Sequence, residues 1–349
     1  MSILDDKTEI FKIDKSSFYN TIVDLANQFQ KSWNEIADLA IPSYYIKADK
    51  IVICGMGASG IVGNIIYDLL NKESSKPVFV IKDYHLPAFV NSSTLVIAIC
   101  CSGDTEETVS CFQEAYQKEA KLFAITKGGQ IEKLCSKYGT PYYKFEHNTQ
   151  PRAALGLMLG AVLKLVQKLG LTETKEDDVL KAIKMLNYWL GEYSIDKLSS
   201  DNPAKKIAQK LVGKNVVVWS AENLTGAGLR WKEQVNENAK QMAHFYTFPE
   251  LHHNSISGLE FPTNPNDIVL ILYSKYYNPR IIKRIEITKD ILANAGIEFF
   301  VVEAESTGLL AEILSMILLG DLVGYYLAVL NGVDPESNTV IDEIKNKMK

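Results

Sequence analysis

The sequence predicts an α/β protein built from two doubly wound parallel sheets flanked by helices, and three observations carry that prediction. Short, continuous runs of Val, Ile, Phe and Tyr alternate with segments of helical periodicity, as strands covered on both faces and their crossover helices do. Two of those runs end in loops rich in Gly, Ser and Thr that open a helix, the pattern of an open sheet that binds a ligand above its strand ends. The alternation then begins again beyond the polar stretch IDKLSSDNPA, residues 195–204. The domains expected are an N-terminal helical segment over 1–45, a first α/β domain over 46–194 and a second over 195–349.

Apolar positions at helical spacing from Phe18 through Ile22, Leu25, Phe29, Trp33 and Ile36 to Leu39 predict one or two helices packed beneath the first sheet. The first sheet's strands are expected at KIVIC (50–54), PVFVI (77–81), TLVIAI (94–99), KLFAIT (121–126) and PYYKF (141–145). Helices are expected near 153–168, after PRAALG, and near 175–193. The second set of strands is KNVVVW (214–219), HFYTF (244–248), DIVLILY (267–273) and IEFFVVEA (297–304). A last helix over about 308–330 is almost wholly apolar, which places it in a core or an interface.

A chain of 349 residues is long enough for two ordinary cores, and 47% hydrophobic with 23% charged residues is the balance of a globular enzyme. The 37 Lys and Arg against 42 Asp and Glu leave a charge of -5, so there is no electrostatic footprint for nucleic acid or an anionic membrane. A phosphate ligand must then be held locally. The N-terminal residues lack the apolar core of a signal peptide, and no uncharged apolar run reaches the roughly 18 residues of a membrane span, so a cytoplasmic protein is expected. The five cysteines show no CxxC or zinc spacing and read as reduced, mostly buried thiols. Cys101 alone lies at a strand end beside the proposed site, where a nucleophilic role needs a base and a lowered pKa.

The two loops are GMGASG (Gly55–Gly60) and CSGDTEET (Cys101–Thr108). The first also fits the GxGxxG dinucleotide pattern, with Asp83 near the end of the second strand, but alone that pattern is weak. Ser59 with Ser102, Thr105 and Thr108 supplies side-chain donors suited to a terminal monophosphate, whereas a diphosphate is held mainly by backbone and helix dipole. The plain alternative for SGDTEET is a helix N-cap with Glu106 and Glu107 in the first turn. In the second half, RWKEQVNENAK (Arg230–Lys240) is a polar helical segment with few residues to fill a core, and Glu237 is its candidate acid. The alternative there is a solvated face on which Glu233 and Glu237 pair with neighbouring bases. PELHHNSISG (Pro249–Gly258) places His252 and His253 in a turn-rich loop after a strand, with no third ligand at a metal-binding spacing.

These motifs, with PRAALG and a C-terminal GVDP followed by Lys345, occur in the order found in one family and span most of the chain. The sequence resembles the bifunctional phosphoglucose/phosphomannose isomerases, a branch of the sugar isomerase (SIS) domain proteins. NENAK followed at this distance by E-L-x-H-N is the specific part of the match. The resemblance implies two flavodoxin-like SIS domains and a metal-independent aldose–ketose isomerase that needs no cofactor. It also implies that glucose 6-phosphate and mannose 6-phosphate are interconverted with fructose 6-phosphate through a cis-enediol. By the same resemblance, Gly57, Ser59, Ser102, Thr105 and Thr108 bind the phosphate and Glu237 moves the proton between C1 and C2. Arg152 lies beside the developing enediolate, and Lys345 assists ring opening. His253 also serves ring opening, in a homodimer where it reaches the partner's site. Asn338 and Thr339 are the candidates for contact with the sugar hydroxyls.

The chain departs from the family pattern in places. Asp104 stands where Asn is usual, and its carboxylate repels a phosphate unless it points away or caps a helix. Cys101 and His252 are also atypical. Two other readings belong to different classes. A regulatory phosphosugar-binding protein predicts the cradle without Glu237, His253, Arg152 and Lys345. A dinucleotide-dependent oxidoreductase rests on GMGASG alone, and the hydroxyl-rich second loop speaks against it. An amidotransferase relative is not expected, since Met1-Ser2 offers no N-terminal Cys nucleophile.

Overall fold

The structure, a computed structural model, describes residues 2–261, 266–303 and 306–348, which form two compact units. The first unit is Asp24–Ile183; the second joins Met1–Val23 to Lys184–Lys349. The N-terminal helices are thus divided, where the sequence reading kept 1–45 together and placed the domain boundary at 194. Helices α1 (Lys7–Ile13) and α2 (Phe18–Val23) belong to the second unit, and α3 (Leu25–Asp38) opens the first. Specific polar anchors account for the division. The buried Asp14 carboxylate accepts from the Phe18 and Tyr19 N–H groups at 2.7 and 3.0 Å and from the Tyr325 hydroxyl at 2.9 Å. Lys205, with no exposed surface, donates to the carbonyls of Leu4 (2.5 Å), Ile195 (3.0 Å) and Lys197 (2.7 Å). A buried ammonium is tolerable only when its donors are satisfied in this way.

In the first unit, β1 (Lys50–Cys54), β2 (Val78–Ile81), β3 (Thr94–Cys100), β4 (Lys121–Thr126) and β5 (Tyr142–Lys144) form one parallel sheet in the order β2-β1-β3-β4-β5. The crossover helices are α4 (Gly57–Leu70), α5 (Glu106–Gln117) and α6 (Gly129–Tyr138). Every residue of β3 is buried, as its unbroken apolar run requires. Helix α7 (Leu155–Lys168) packs along α3, and α8 (Glu176–Glu192) crosses the division between the units.

The second unit repeats the arrangement with one strand fewer. Strands β6 (Asn215–Ser220), β7 (Ala243–Thr247), β8 (Asp267–Tyr273) and β9 (Glu298–Glu303) are parallel in the order β7-β6-β8-β9. The strand expected at 297–304 ends at Glu303, and Ala304 lies outside the described residues. The helices of this unit are α9 (Pro203–Leu211), α10 (Thr225–Glu237), α11 (Pro279–Asn294), α12 (Leu309–Leu330) and α13 (Thr339–Lys347). By length and composition α12 could cross a membrane, but it is buried almost throughout and forms the core against α9 and α10. In both sheets the order reverses between the first strand and the third, and loops at such a point splay apart to leave a crevice.

Candidate active site

The first unit places GMGASG and CSGDTEET above the carboxyl ends of β1 and β3, adjacent strands at the point where the sheet order reverses. Gly57 opens α4 with φ +50°, a left-handed conformation that favours glycine. The other glycines of the GxGxxG pattern serve packing. A Cβ on Gly60 would lie 2.6 Å from the Gly55 carbonyl oxygen, and one on Gly55 would lie 2.8 Å from that of Ile99. In the second loop Gly103 has φ +81°, and a Cβ there would fall 1.8 Å from the Gly128 carbonyl oxygen. The loop is therefore wedged against the turn after β4.

Neither α4 nor α5 is closed by a side chain at its N-terminus: the cap positions, Met56 and Thr105, make no side-chain capping bond. As the N-cap alternative for SGDTEET has it, α5 begins after Thr105 with Glu106 and Glu107 in its first turn, but the side-chain capping bond is missing, so two helix N-termini open at the strand ends. The Ser102 and Thr105 hydroxyls lie 3.3 Å apart. Ser59 is 5% exposed, with its Oγ 3.5 Å from Met158 Sδ. Thr108 is 1% exposed, and its Oγ1 has no hydrogen-bond partner among the described residues. A buried hydroxyl normally finds a partner, so the Thr108 hydroxyl is available to a group from outside the chain.

Asp104 does not oppose this cradle. Its Oδ1 accepts from the Gln130 N–H at 2.8 Å, in the first turn of α6, so the carboxylate closes a neighbouring helix. Cys101 is 3% exposed, and burial pushes its thiol pKa up to about 12 despite Lys127 nearby. That is the environment of a packing thiol, not of a nucleophile. Arg152 is also in this unit, 2% exposed, on the 3-10 turn Pro151–Ala154 that leads into α7 and packs against α4.

In the second unit Glu237 ends α10 and borders a cleft of about 470 Å³. Asn236, Lys240 and Met242 also line it, as do Asn338 and Thr339 at the start of α13. Lys240, at φ +55°, donates to the Glu237 carbonyl and, at 2.7 Å, to that of Ser337. It ties the end of α10 to the segment that carries Asn338. Sequence reasoning passed over Lys240, although it closes the NENAK motif, because nothing in composition announces a left-handed lysine. Lys345 lies further along α13, exposed and off the cleft wall. His253 ends the 3-10 turn Glu250–His253, also exposed and outside the cleft.

The helix beneath Glu237 is not the core-poor segment expected. Arg230, Trp231, Gln234 and Val235 are all buried against α12. The Arg230 guanidinium meets the Asp321 carboxylate through Nε and Nη2, each at 2.7 Å, and Trp231 Nε1–H donates to the Met316 carbonyl at 2.8 Å. A Cβ on Gly320 would sit 2.4 Å from the Trp231 ring, so α12 needs glycine at that crossing.

The family model of the bacterial phospho-glucose isomerase C-terminal SIS domain matches residues 200–348, and that of the SIS domain matches 44–136. The chain is 36% identical over 335 residues to a bifunctional phosphoglucose/phosphomannose isomerase of Caldicellulosiruptor bescii, covering 95% of this chain and 98% of that one. With the protein of the same name from Aquifex aeolicus it shares 35% over 333 residues, again 95% and 98% of the two chains. Among solved structures, the tagatose-6-phosphate ketose/aldose isomerase of Escherichia coli superposes with a TM-score of 0.65 at 16% identity. That match covers 92% of this chain and 95% of the other and is a likeness of fold.

Proposed function

The chain belongs to the bifunctional phosphoglucose/phosphomannose isomerase family, and from that premise we propose how its residues interconvert glucose 6-phosphate and mannose 6-phosphate with fructose 6-phosphate. The cleft that Glu237 lines together with Asn338 and Thr339 is the observation that carries the reading. Phosphate binds to Ser59, Ser102, Thr105, Thr108 and the N–H groups that open at Gly57, and this remote binding energy fixes the sugar for reaction. With the ring open, Glu237 takes the proton from C2 of the aldose and returns it to C1, while a proton passes from the C2 hydroxyl to the C1 oxygen. The intermediate is a cis-enediol, in which C2 is planar, so the two C2 epimers share it with the ketose. A positioned base of this kind contributes roughly 10²–10⁴-fold.

Negative charge develops on the oxygens at C1 and C2, and Arg152 is the cation assigned to it. Ring opening needs a separate proton transfer at O5 and O1, for which His253 and Lys345 are the groups proposed. Because His253 is exposed and outside its own chain's cleft, we assign it to the partner's site in a homodimer. All five cysteines are free and buried, in keeping with a reducing compartment, and we propose the cytoplasm.

The test is fructose 6-phosphate formation from each aldose in EDTA, with Glu237→Gln beside the wild type. Both activities are expected in the wild type, and both should fall by about 10²-fold or more in the variant. A Glu237→Gln enzyme that still isomerises either sugar at the wild-type rate removes Glu237 as the base.

A further inference from the structure

A second cavity, of about 350 Å³, lies in the second unit between the turns after β7 and helix α11, and shares no lining residue with the Glu237 cleft. Its polar wall is His252, Arg280, Lys283 and Arg284; Ile256, Ile287 and Ile291 line the rest. The three cations of α11 stand at spacings of three and four residues, on one face of the helix. Like charges so placed oppose helix formation unless something neutralises them. The chain has 42 acidic residues, yet among the described residues none forms an ion pair with these three; Glu286 of the same helix pairs with Lys289 at 2.6 Å instead.

The hydrogen bonds around His252 show that one of these cations is held in place without being neutralised. Thr288 Oγ1 donates its proton to the Arg284 carbonyl at 2.7 Å. It can therefore only accept from the imidazole, so His252 Nε2–H donates to it, also at 2.7 Å. That leaves Nδ1 as the acceptor for Arg284 Nη1 at 3.0 Å, since a guanidinium has nothing but donors. The ring is fixed edge-on to Phe248, with centroids 5.2 Å apart. Burial, with the charges of Arg284 and His253, lowers the His252 pKa, in keeping with the neutral ring that these bonds require. Beside these charges Ile287 and Ile291 remain 48% and 37% exposed, an apolar shelf next to an unneutralised basic cluster.

We propose that this pocket is a second anion site, which takes the phosphate of a small phosphorylated molecule on Arg280, Lys283 and Arg284 and lays its carbon body over Ile287 and Ile291. The pocket adjoins the turn that carries His253.

The experiment is calorimetric titration of the full chain with inorganic phosphate, pyrophosphate and glucose 6-phosphate. Two binding events per chain are expected in the wild type, one at the loops after β1 and β3 and one here. In Arg280→Gln/Lys283→Gln the second event should weaken at least tenfold, whereas Thr108→Val should leave it intact. Phosphate should also raise the His252 pKa, followed by NMR, in the wild type and not in the double variant. If glucose 6-phosphate fills both sites, the occupant is the substrate; if only pyrophosphate or phosphate fills the second, it is another phosphate, and either result supports the site. A single event indifferent to Arg280→Gln/Lys283→Gln overturns the proposal. So does a double variant that binds phosphate as before but changes sedimentation, which would make this face a contact between copies.

Discussion

Thr108 is where a single atom says most about the ligand. Its hydroxyl is buried and without a hydrogen-bond partner among the described residues. Thr108→Val keeps the shape and removes only that hydroxyl, so no internal bond is lost and the thermal midpoint should hold. A hydrogen bond to a charged phosphate is worth about 1.5–3 kcal/mol, so KM for the sugar phosphate should rise roughly tenfold or more. Steady-state kinetics beside a melting curve separates the two effects. An unchanged KM takes Thr108 out of the site. Asp104 makes the complementary case: a carboxylate that looks hostile to phosphate in the sequence is spent on the Gln130 N–H of α6.

At the scale of elements, α10 shows what a sequence can and cannot disclose. Arg230, Gln234 and Asn238 look like a wet face, because hydrophobic periodicity counts apolar residues and has no means of pairing Arg230 with Asp321, 91 residues on. Once paired, Arg230 is as much core as Trp231. Strands were legible because buried parallel strands are continuous apolar runs: β1, β4 and β8 coincide with KIVIC, KLFAIT and DIVLILY. The two loops after β1 and β3 were legible because their glycines and hydroxyls are neighbours in sequence. The allegiance of α1 and α2 was not, since it rests on Asp14 meeting Tyr325 and Lys205 meeting Leu4, long-range bonds that leave no local pattern. The Arg230–Asp321 pair also makes a sharp prediction. Arg230→Met strands a buried carboxylate whose pKa burial already raises, and should cost about 3–5 kcal/mol. Arg230→Met/Asp321→Leu, which removes both charges, should recover most of that loss in urea unfolding. If the double variant is no more stable than the single, the penalty lies in packing and not in the orphaned charge.

At the scale of the whole molecule, the groups assigned in the second unit do not all line one cleft among the described residues. Glu237, Asn338 and Thr339 share a cleft, while His253 and Lys345 are exposed and outside it. The homodimer proposed above would have each copy lend what the other lacks. Mixing two inactive variants decides whether His253 is lent. In a heterodimer of Glu237→Gln with His253→Ala subunits, one site receives both lesions and the other receives neither, provided His253 acts across the interface. Random reassociation makes about half of the dimers mixed, so about one quarter of wild-type activity should return. If His253 serves its own chain, every site in the mixture keeps one lesion and no activity returns. The readout needs no assumption about the sugar, since either aldose reports it, and sedimentation of the mixture shows independently that the subunits exchanged.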